Sequence, residues 1–463
     1  MGEGTGRAAD EAARRSARTA ALQAGRMLRR QVPRSEHSRW DPGMRTRDPV
    51  DTLVVTGRTR MAELLALRHG RMSRSPFAYM RGAAAMMASD VAGGPLTQLI
   101  VQACGDCHLG NFGAFASPER RLVFDINDFD ETLPASWEFD IKRLVVSFVL
   151  LGREQGIDRV DQTAAVLAVA ESYVRRLRHY ALVSPLDAWY ATIDAGSLIR
   201  ETAGAATRRQ WVDLERKARA RTGDAMARRL VEAMPGGPRF VASPPIVSRL
   251  PPDGPLDRAF RMVLCRYTNT LVEERRELLA RYRLVDVAFK VVGVGSVGTR
   301  CGIALYVAEG GEQLILQVKE ANPSVLRHHA PMAPVLHEGH RVVLGQRLMQ
   351  AASDIFLGWA DDEEGRHYYV RQLRDMKASV RTEELTGPML VNFASMCGWA
   401  LARAHAKSVP AARLSGYLGT GDRLGVALDR FARAYADQCE GDYDAFMVAI
   451  RAGRLAAEVE PAA

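Results

Sequence analysis

The spacing of hydrophobic and polar positions predicts that helix-rich and strand-rich stretches alternate along the chain. Helical spacing marks residues 49–103, 139–153, 157–182, 207–233, 258–283, 388–407 and 424–453. Short apolar runs between turn residues, typical of strands, mark 104–131 and 285–375, with one helix over 335–352. The Pro- and Gly-rich segment 234–256 is predicted to be a loop. Because strands and helices do not alternate regularly, the pattern favours an α+β fold with two lobes over a doubly wound parallel sheet.

Composition and charge narrow the class of protein. The chain has 463 residues, of which 47% are hydrophobic and 25% charged, and this excludes collagen-like and largely disordered chains. The formal net charge is +9, and residues 1–48 carry eleven arginines against six acidic residues. We expect this segment to be a basic, poorly ordered arm. The remaining excess charge is small, so nucleic-acid binding by the core is not expected.

The sequence contains none of the common targeting signals. The apolar run Leu144–Leu151 is far shorter than a membrane span, and no apolar leader precedes residue 48. Six cysteines in a chain of this length do not form a disulfide framework. We therefore expect a cytoplasmic protein without a membrane span. The sequence does not indicate an oligomeric state.

The first group of residues with recognisable chemistry lies between residues 104 and 130. Cys104-Gly105-Asp106-Cys107-His108-Leu109-Gly110-Asn111 is followed by Phe124-Asp125-Ile126-Asn127-Asp128-Phe129-Asp130. The β-prone runs between them flank Ser117-Pro118-Glu119-Arg120, which predicts a hairpin. Such a hairpin places Asn111 and Asp128 side by side at one end. Two oxygen ligands at one point are suited to Mg²⁺ and phosphate.

The spacing within this group is that of kinase-type phosphotransferases. These enzymes use an Asp towards the acceptor hydroxyl, an Asn five residues later for metal, and a second Asp on metal. Asp106 is five residues before Asn111, and Asp128-Phe129-Asp130 follows at the position of the second Asp. Asp106 is therefore the catalytic candidate, and Asn111, Asp128 and Asp130 are the candidate metal ligands.

Three other interpretations of this segment remain open. Cys104-x-x-Cys107-His108 matches the attachment motif of c-type haem, which requires an exported protein and leaves Asn111 and Asp128 unexplained. The same cysteines could form half of a zinc site or a redox pair, but no second Cys/His pair at ligand spacing accompanies them. The third interpretation is an acidic loop whose turn residues satisfy one another.

The second group lies between residues 285 and 375. A strand-like run over Val285–Val292 leads into Gly293-Val294-Gly295-Ser296-Val297-Gly298, and two further β-prone runs follow. Strand, glycine loop and strand form a hairpin, which argues against the helix of a dinucleotide-binding unit. Glycines in such a loop let backbone N–H groups approach phosphates. Gly293, Gly295 and Gly298 are therefore the candidate nucleotide-binding residues.

Lys319 ends the third of these strands. Only six of the 63 basic residues are lysines, and the kinase layout requires a lysine at this position for the α- and β-phosphates. A strand-end lysine that simply extends its charge to solvent is the alternative. We expect Glu338, on the helix over 335–352, to hold Lys319, with Gln346 as a neutral alternative.

The loop at residues 104–111 resembles that of the aminoglycoside-phosphotransferase branch of the protein-kinase-like superfamily, His-Gly-Asp-x-His-x-x-Asn. Cys104 replaces the first His. In that branch a further Asp, twelve residues after the metal Asp, opens a helix and braces the loop, and Asp140 matches it. The glycine loop and lysine follow the catalytic loop here instead of preceding it. The resemblance therefore implies a circularly permuted kinase-like fold, with a small antiparallel-sheet lobe at about 285–375 and a large, mainly helical lobe.

A second resemblance concerns the whole chain. Ser75-Pro76-Phe77-Ala78-Tyr79-Met80-Arg81-Gly82 and Gly345-Gln346-Arg347-Leu348-Met349-Gln350 resemble a bacterial family catalogued as domain of unknown function 2252, over roughly residues 30–450. Together the two resemblances suggest four parts. These are the arm at 1–48, a helical lobe with the catalytic and metal loops at 49–284, a nucleotide-binding lobe at 285–376, and the rest of the helical lobe at 377–463. Residues 49–100 and 424–463 are additions to a minimal kinase-like fold.

The kinase resemblance implies an ATP- and Mg²⁺-dependent phosphotransferase that acts on an unidentified hydroxyl-bearing acceptor. No Arg precedes Asp106, and Asp130 stands in the place of the Gly of Asp-Phe-Gly. Both departures favour a small-molecule acceptor over a protein. Two alternatives remain: transfer of the nucleotidyl (AMP) group on the same fold, or a nucleotide-binding scaffold without catalysis.

Overall fold

The computed structural model describes residues 3–194, 196–198, 205–220, 223–330, 334–373, 378–458 and 460. These residues form helices and small antiparallel sheets, so the mixed α+β class predicted from the hydrophobic pattern is confirmed. The expected boundary at 376/377 lies outside the described residues.

Helices account for most of the regular structure. In the described part of the chain they run in the order α1 (Glu3–Gln31), α2 (Pro49–Gly57), α3 (Leu65–Met72), α4 (Pro76–Gly82), α5 (Ala84–Ala92), α6 (Glu138–Glu154), α7 (Arg159–Tyr180), α8 (Pro185–Tyr190), α9 (Ala205–Ala220), α10 (Gly223–Leu230), α11 (Pro255–Tyr267), α12 (Glu273–Ala280), α13 (Glu338–Met349), α14 (Gly387–Ala406), α15 (Ala411–Leu418) and α16 (Asp422–Arg451). None of the described helices is both long and apolar enough to cross a membrane.

The strands are short and pair antiparallel. They are β1 (Ile100–Ala103), β2 (Phe112–Ala116), β3 (Leu122–Ile126), β4 (Leu133–Ser136), β5 (Val231–Met234), β6 (Gly237–Phe240), β7 (Val247–Arg249), β8 (Tyr282–Lys290), β9 (Cys301–Ala308), β10 (Gln313–Glu320), β11 (Gly358–Asp361), β12 (His367–Gln372) and β13 (Ala378–Ser379). The largest sheet has six strands in the order β11-β12-β10-β9-β8-β7. A three-stranded sheet, β13-β2-β3, contains the hairpin predicted between residues 112 and 125.

The six-stranded sheet is covered by helices that approach it closely. On β9, the Phe260 ring of α11 lies so near Gly302 that a Cβ there would be 2.6 Å from it. At the β11–β12 edge, a Cβ on Gly339 of α13 would lie 2.1 Å from the Tyr368 carbonyl oxygen. Glycine is therefore required at both contacts, because a larger residue would push the helices off the sheet. Lys319 of β10 pairs with Cys301 of β9 and Tyr369 of β12.

A second hydrophobic core surrounds α6. Every residue from Glu138 to Gly152 is buried, so the apolar run Leu144–Leu151 belongs to a central core helix. Helices α7 and α14 pack against each other beside α6. A Cβ on Gly398 of α14 would lie 2.4 Å from the Val169 carbonyl oxygen of α7. This glycine lets the two helix backbones come into close contact.

The N-terminal segment differs from the expected poorly ordered arm. Helix α1 packs on α15 through two glycines, Gly25 and Gly416, whose added Cβ atoms would lie 2.0 and 2.2 Å from carbonyl oxygens of the opposite helix. Arg29 Nε donates to the Tyr417 carbonyl oxygen at 2.7 Å, and Arg34 donates to that of Leu418 at 2.8 Å. Part of the basic charge therefore caps the last turn of α15.

Several predicted elements are subdivided in the structure. The helix expected over 207–233 ends at Leu230, and β5 begins at the next residue. Gly236 and Gly237, both with positive φ, then turn the chain from β5 into β6. The loop expected over 234–256 contains β6 and β7. The helix expected over 258–283 is broken after α11, where the Thr268 and Thr270 hydroxyls donate to backbone carbonyls three residues back. Such side-chain bonds compete with helix continuation.

Candidate functional site

Asp140, near the start of α6, forms hydrogen bonds to the loop that follows β1. Its Oδ2 accepts the backbone N–H of Cys104 at 2.7 Å, and its Oδ1 accepts that of Gly105 at 2.9 Å. The carboxylate is fully buried, and His405 Nε2 lies 3.1 Å from its Oδ2. In turn, His405 Nδ1 is hydrogen-bonded to Tyr173 at 2.7 Å. The residue that the resemblance assigns as a brace is therefore in direct contact with the loop.

Gly105 makes the turn that presents Asp106. Its φ is +82°, and a Cβ there would lie 2.2 Å from the Glu131 carbonyl oxygen. Both the left-handed conformation and the close contact require glycine. Gly105 therefore fixes the backbone conformation at the start of the loop that connects β1 to the following 3₁₀ turn, Leu109–Asn111.

Asp106 is held by an arginine that sequence reasoning missed. Arg143 of α6 donates through Nε to Asp106 Oδ1 at 2.6 Å and also donates to the Met80 carbonyl oxygen at 2.9 Å. The other oxygen, Oδ2, lies 3.8 Å from His108 Nε2, beyond hydrogen-bond distance. Burial, followed by Arg81 and Arg143, lowers the pKa of His108 well below its usual value, so this imidazole is neutral. Asp106 therefore has a fixed carboxylate, with Oδ1 bonded to Arg143 and Oδ2 near Gly295.

The end of the β2–β3 hairpin brings Asn111 opposite Asn127, the residue before Asp128. The backbone N–H of Asn127 donates to the Asn111 carbonyl oxygen at 2.8 Å, one pair beyond the Phe112–Ile126 pair of the ladder. The Asn111 side-chain Nδ2 donates to the Asp106 carbonyl oxygen at 2.8 Å. This bond commits the nitrogen and leaves Oδ1 as the atom available to a cation.

The donor set at this point fits Mg²⁺ bound together with phosphates. Burial raises the pKa of Asp128 and the neighbouring Asp130 raises it further, while the nearby cations Lys319 and Arg371 oppose the rise. In the described ranges no three His, Cys, Asp or Glu side chains form a metal cluster. Mg²⁺ usually takes one or two carboxylates and completes its shell with water and phosphate, and the Asn111 Oδ1 and Asp128 carboxylate are the oxygen donors at this point.

Lys319 pairs with Asp130 and not with Glu338. Its Nζ lies 2.5 Å from Asp130 Oδ2, and Tyr369 donates to Asp130 Oδ1 at 2.6 Å. Burial lowers the pKa of Lys319, but Asp130 and then Tyr369 outweigh burial and hold that pKa well above its usual value. Asp130, expected as a metal ligand, therefore serves in this structure as the anchor of the lysine.

The expected partners of Lys319 are engaged elsewhere, so that prediction is wrong. Glu338 forms ion pairs with Arg327 and Arg341, the latter at 2.6 Å. It is the first residue of α13, and its carboxylate stays at that end of the helix. Gln346 donates to Gln350 at 2.9 Å, although its side chain also lines the same cavity as Lys319.

The glycine loop lies directly against these residues. Gly293 and Gly298 have φ of +64° and +90°, which favour glycine. A Cβ on Gly295 would lie 3.9 Å from Asp106 Oδ2. Ser296 donates to Asp130 Oδ2 at 3.0 Å and lies 3.2 Å from Lys319 Nζ. The glycine loop and Lys319 therefore meet Asp130, although Asp130 and Lys319 are about 190 residues apart in the chain.

A cavity of about 910 Å³ opens from this point along the six-stranded sheet. Its wall includes Asp128, Gly293, Ser296 and Lys319, together with Arg371. Arg371 donates to Gln317 at 3.1 Å and, like Lys319, is a cation on this wall. Sequence reasoning missed Arg371 and Tyr369. The two residues are two positions apart on β12, and alternate residues of a strand share a face, so this spacing could have indicated that both side chains lie on the same side of the sheet.

The Cys104–Cys107 pair has a packing role in this structure. Both thiols are buried, and Cys104 Sγ donates to the Asp128 carbonyl oxygen at 3.3 Å. Burial raises the pKa of Cys107 well above its usual value, so its thiol stays protonated. The buried His108 ring packs against Phe77. Nothing in this arrangement favours the haem or zinc interpretation.

The fold and the cleft define an α+β protein with a charged site between a six-stranded antiparallel sheet and a helical core. Residues 60–449 match the family described as an uncharacterized protein conserved in bacteria (DUF2252). Because the match covers most of the chain, the protein belongs to this family, as the sequence resemblance predicted. No curated protein and no solved structure matches the chain.

Proposed function

We propose that this protein is an ATP- and Mg²⁺-dependent phosphotransferase that acts on a hydroxyl-bearing small molecule. One observation carries the proposal. Lys319, Ser296 of the glycine loop and Asp128 line one cavity, Asp130 is hydrogen-bonded to both Lys319 and Ser296, and Asp106 lies against the tip of the same loop. A phosphotransferase needs this set of groups together, because its catalysis consists of positioning and charge neutralisation.

The order of elements supports a circularly permuted, two-lobed kinase-like fold. Strand β8, the glycine loop, β9, a turn, β10 with Lys319, helix α13 and then β11 and β12 follow one another in the chain. These elements are the ones that a kinase-like nucleotide lobe requires. The catalytic loop and Asp128 belong to the helical core and precede them in sequence.

Each group then has a distinct role. Lys319 and Arg371 neutralise and orient the α- and β-phosphates, while backbone N–H groups of the glycine loop cover them. The Asn111 Oδ1 and the Asp128 carboxylate would hold Mg²⁺, which supplies charge neutralisation at the phosphates when bound. Asp130 keeps Lys319 at the wall of the cavity.

Asp106 orients the acceptor. Its Oδ1 is bonded to Arg143, so Oδ2 is the oxygen that accepts the acceptor's hydroxyl hydrogen bond. During transfer the acceptor oxygen bonds to the γ-phosphorus as the bond from that phosphorus to the β,γ-bridging oxygen breaks. The electron pair of the broken bond stays on the departing diphosphate, and the hydroxyl proton passes to Asp106 Oδ2 and then to solvent.

Thermal unfolding with and without ATP plus Mg²⁺ tests the proposal. At a ligand concentration about a hundredfold above Kd, binding adds about 2.7 kcal/mol to the free energy of unfolding. We expect this gain in the wild type and in Asp106→Asn, which retains the phosphate-binding groups, but not in Lys319→Met. The exposed Lys217→Met is the matched control and keeps the full gain. Absence of any gain in the wild type would contradict the proposal.

A further inference from the structure

Arg81 lies beside the loop that carries Asp106 but has no role in the site described so far. It belongs to α4, within the Ser75–Gly82 segment that kinase-like chemistry does not require. The negative charges that act most strongly on the Arg81 guanidinium are those of Asp106 and then Asp128. The Arg81 Nε atom lies 4.0 Å from the position that a Cβ on Gly110 would take. The guanidinium therefore lies beside the catalytic loop, under the influence of the acceptor-side and metal-side carboxylates.

The guanidinium is not satisfied by the carboxylates near it. Its Nε–H is buried and finds no hydrogen-bond acceptor in the part of the chain that the structure describes. Asp106 is hydrogen-bonded to Arg143 instead, and Asp128 Oδ1 accepts from the Asp130 backbone N–H at 3.4 Å. A buried charged donor without an acceptor costs about 1–3 kcal/mol. The Phe77 ring, whose centre lies 5.9 Å from the guanidinium carbon, offsets part of that cost, and an anionic acceptor for Nε–H would offset the rest.

The glycine loop brings any bound phosphate next to this arginine. A Cβ on Gly295 would lie 3.4 Å from the Arg81 carbonyl oxygen and 3.9 Å from Asp106 Oδ2. The loop tip, the backbone of Arg81 and the acceptor-side carboxylate thus meet at one point. Phosphates covered by the loop would have their terminal group on this side, towards Asp106.

We propose that Arg81 binds the phosphoryl group in transfer and neutralises the charge that develops on it between donor and acceptor. This inference rests on the proposed function. Helix α4 supplies this arginine from within the same chain. In other phosphoryl-transfer sites an arginine inserted into the site likewise stabilises the charge of the transition state. The bonds that form and break are those given above, and Arg81 contributes hydrogen bonds to the equatorial oxygens without exchanging a proton.

Binding of ADP·Mg²⁺ with and without aluminium fluoride, which mimics the phosphoryl group in transfer, tests the inference without any acceptor. In the wild type we expect ADP·Mg²⁺ to raise Tm and aluminium fluoride to raise it further. Arg81→Ala should keep the first increase and lose the second, with affinity for the fluoride complex reduced about tenfold or more. Arg81→Lys, which keeps the positive charge, should retain part of the second increase.

The controls separate this inference from the proposed function. Arg74→Ala removes an exposed arginine on the neighbouring turn and should keep both increases. If Arg81→Ala keeps both increases, or the wild type responds to ADP·Mg²⁺ but not to aluminium fluoride, the assignment of Arg81 is wrong. If the wild type does not respond even to ADP·Mg²⁺, the proposed function itself fails, and the inference fails with it.

Discussion

At the scale of single residues, Lys142 is in an unfavourable environment. Its Nζ is buried in α6 without a hydrogen-bond partner in the described ranges and lies 4.3 Å from the centre of the Phe431 ring. Burial lowers the pKa of Lys142 to about 8, and Glu138 only partly opposes this effect. The cation–π contact recovers part of the cost of burying the ammonium.

We predict that Lys142→Met stabilises the protein. Below pH 8 the buried lysine is charged at a cost of roughly 3 kcal/mol, the equivalent of its pKa shift. The unfolded chain binds the proton more tightly than the folded one, so wild-type stability rises as pH increases from about 8 to 10.5. Urea unfolding should show the gain for Lys142→Met at pH 7 and a smaller gain at pH 10. Equal stability of the two proteins at pH 7 would contradict the prediction.

Gly105 and Gly156 form a matched pair for testing the backbone path of the loop that carries Asp106. Both have positive φ, but a Cβ on Gly156 meets nothing within 4 Å, whereas one on Gly105 would lie 2.2 Å from the Glu131 carbonyl oxygen. Gly156→Ala should lower the free energy of unfolding by about 1–2 kcal/mol, from backbone strain alone. Gly105→Ala should lower it by a further 1–3 kcal/mol. Equal losses, measured by denaturant unfolding, would show that the loop path is different.

At the scale of elements, the start of α6 fixes the backbone of the loop that carries Asp106. Asp140 accepts two backbone N–H groups, and an amide in its place can accept only one of them while placing a donor against the other. We predict that Asp140→Asn lowers the free energy of unfolding by about 1–3 kcal/mol and slows transfer, with ATP affinity little changed. Asp437→Asn, at an exposed position, is the control for both measurements. Loss of ATP affinity with an unchanged transfer rate would contradict the bracing role.

The sequence predicted much of the site at this scale, because spacing and hydrogen-bond register determine which residues meet. The hairpin between Asn111 and Asp128 followed from two β-prone runs and a turn. The sequence did not predict the partner of Lys319, because that partner, Asp130, lies on a loop about 190 residues earlier in the chain. Arg341, three residues after Glu338 on the same helix, competes for its carboxylate, and spacing alone does not show which cation is closer.

At the scale of the whole molecule, the N-terminal segment is part of the packed structure. Composition suggested a solvated arm, since eleven arginines in 48 residues are typical of one. The structure differs because Gly25 and Gly416 let α1 lie directly on α15. A contact between helices so far apart in the chain cannot be predicted from the local sequence pattern. The α+β class was predictable from the hydrophobic pattern, whereas this contact depends on tertiary packing.

We predict that Gly25→Ala separates α1 from α15, because its Cβ would lie 2.0 Å from the Arg413 carbonyl oxygen. Gly441→Ala, in helix α16 with open space around the new Cβ, is the control and should be neutral or slightly stabilising. Limited proteolysis should cleave residues 11–31 rapidly in Gly25→Ala and slowly in the wild type and the control. Rapid cleavage in all three proteins would restore the interpretation as a poorly ordered arm.

The claim that the cleft transfers a phosphoryl group is tested most directly by the fate of labelled ATP. The wild type and Asp106→Asn are incubated with Mg²⁺, a small-molecule extract of bacterial cells, and ATP labelled at either the γ- or the α-phosphorus. We predict that the wild type transfers the γ-label to a small molecule, that the α-label remains in ADP, and that Asp106→Asn reduces transfer by about a hundredfold or more. Transfer of the α-label would indicate nucleotidyl transfer, and ATP binding without transfer of either label would indicate a scaffold. Either result would contradict the account.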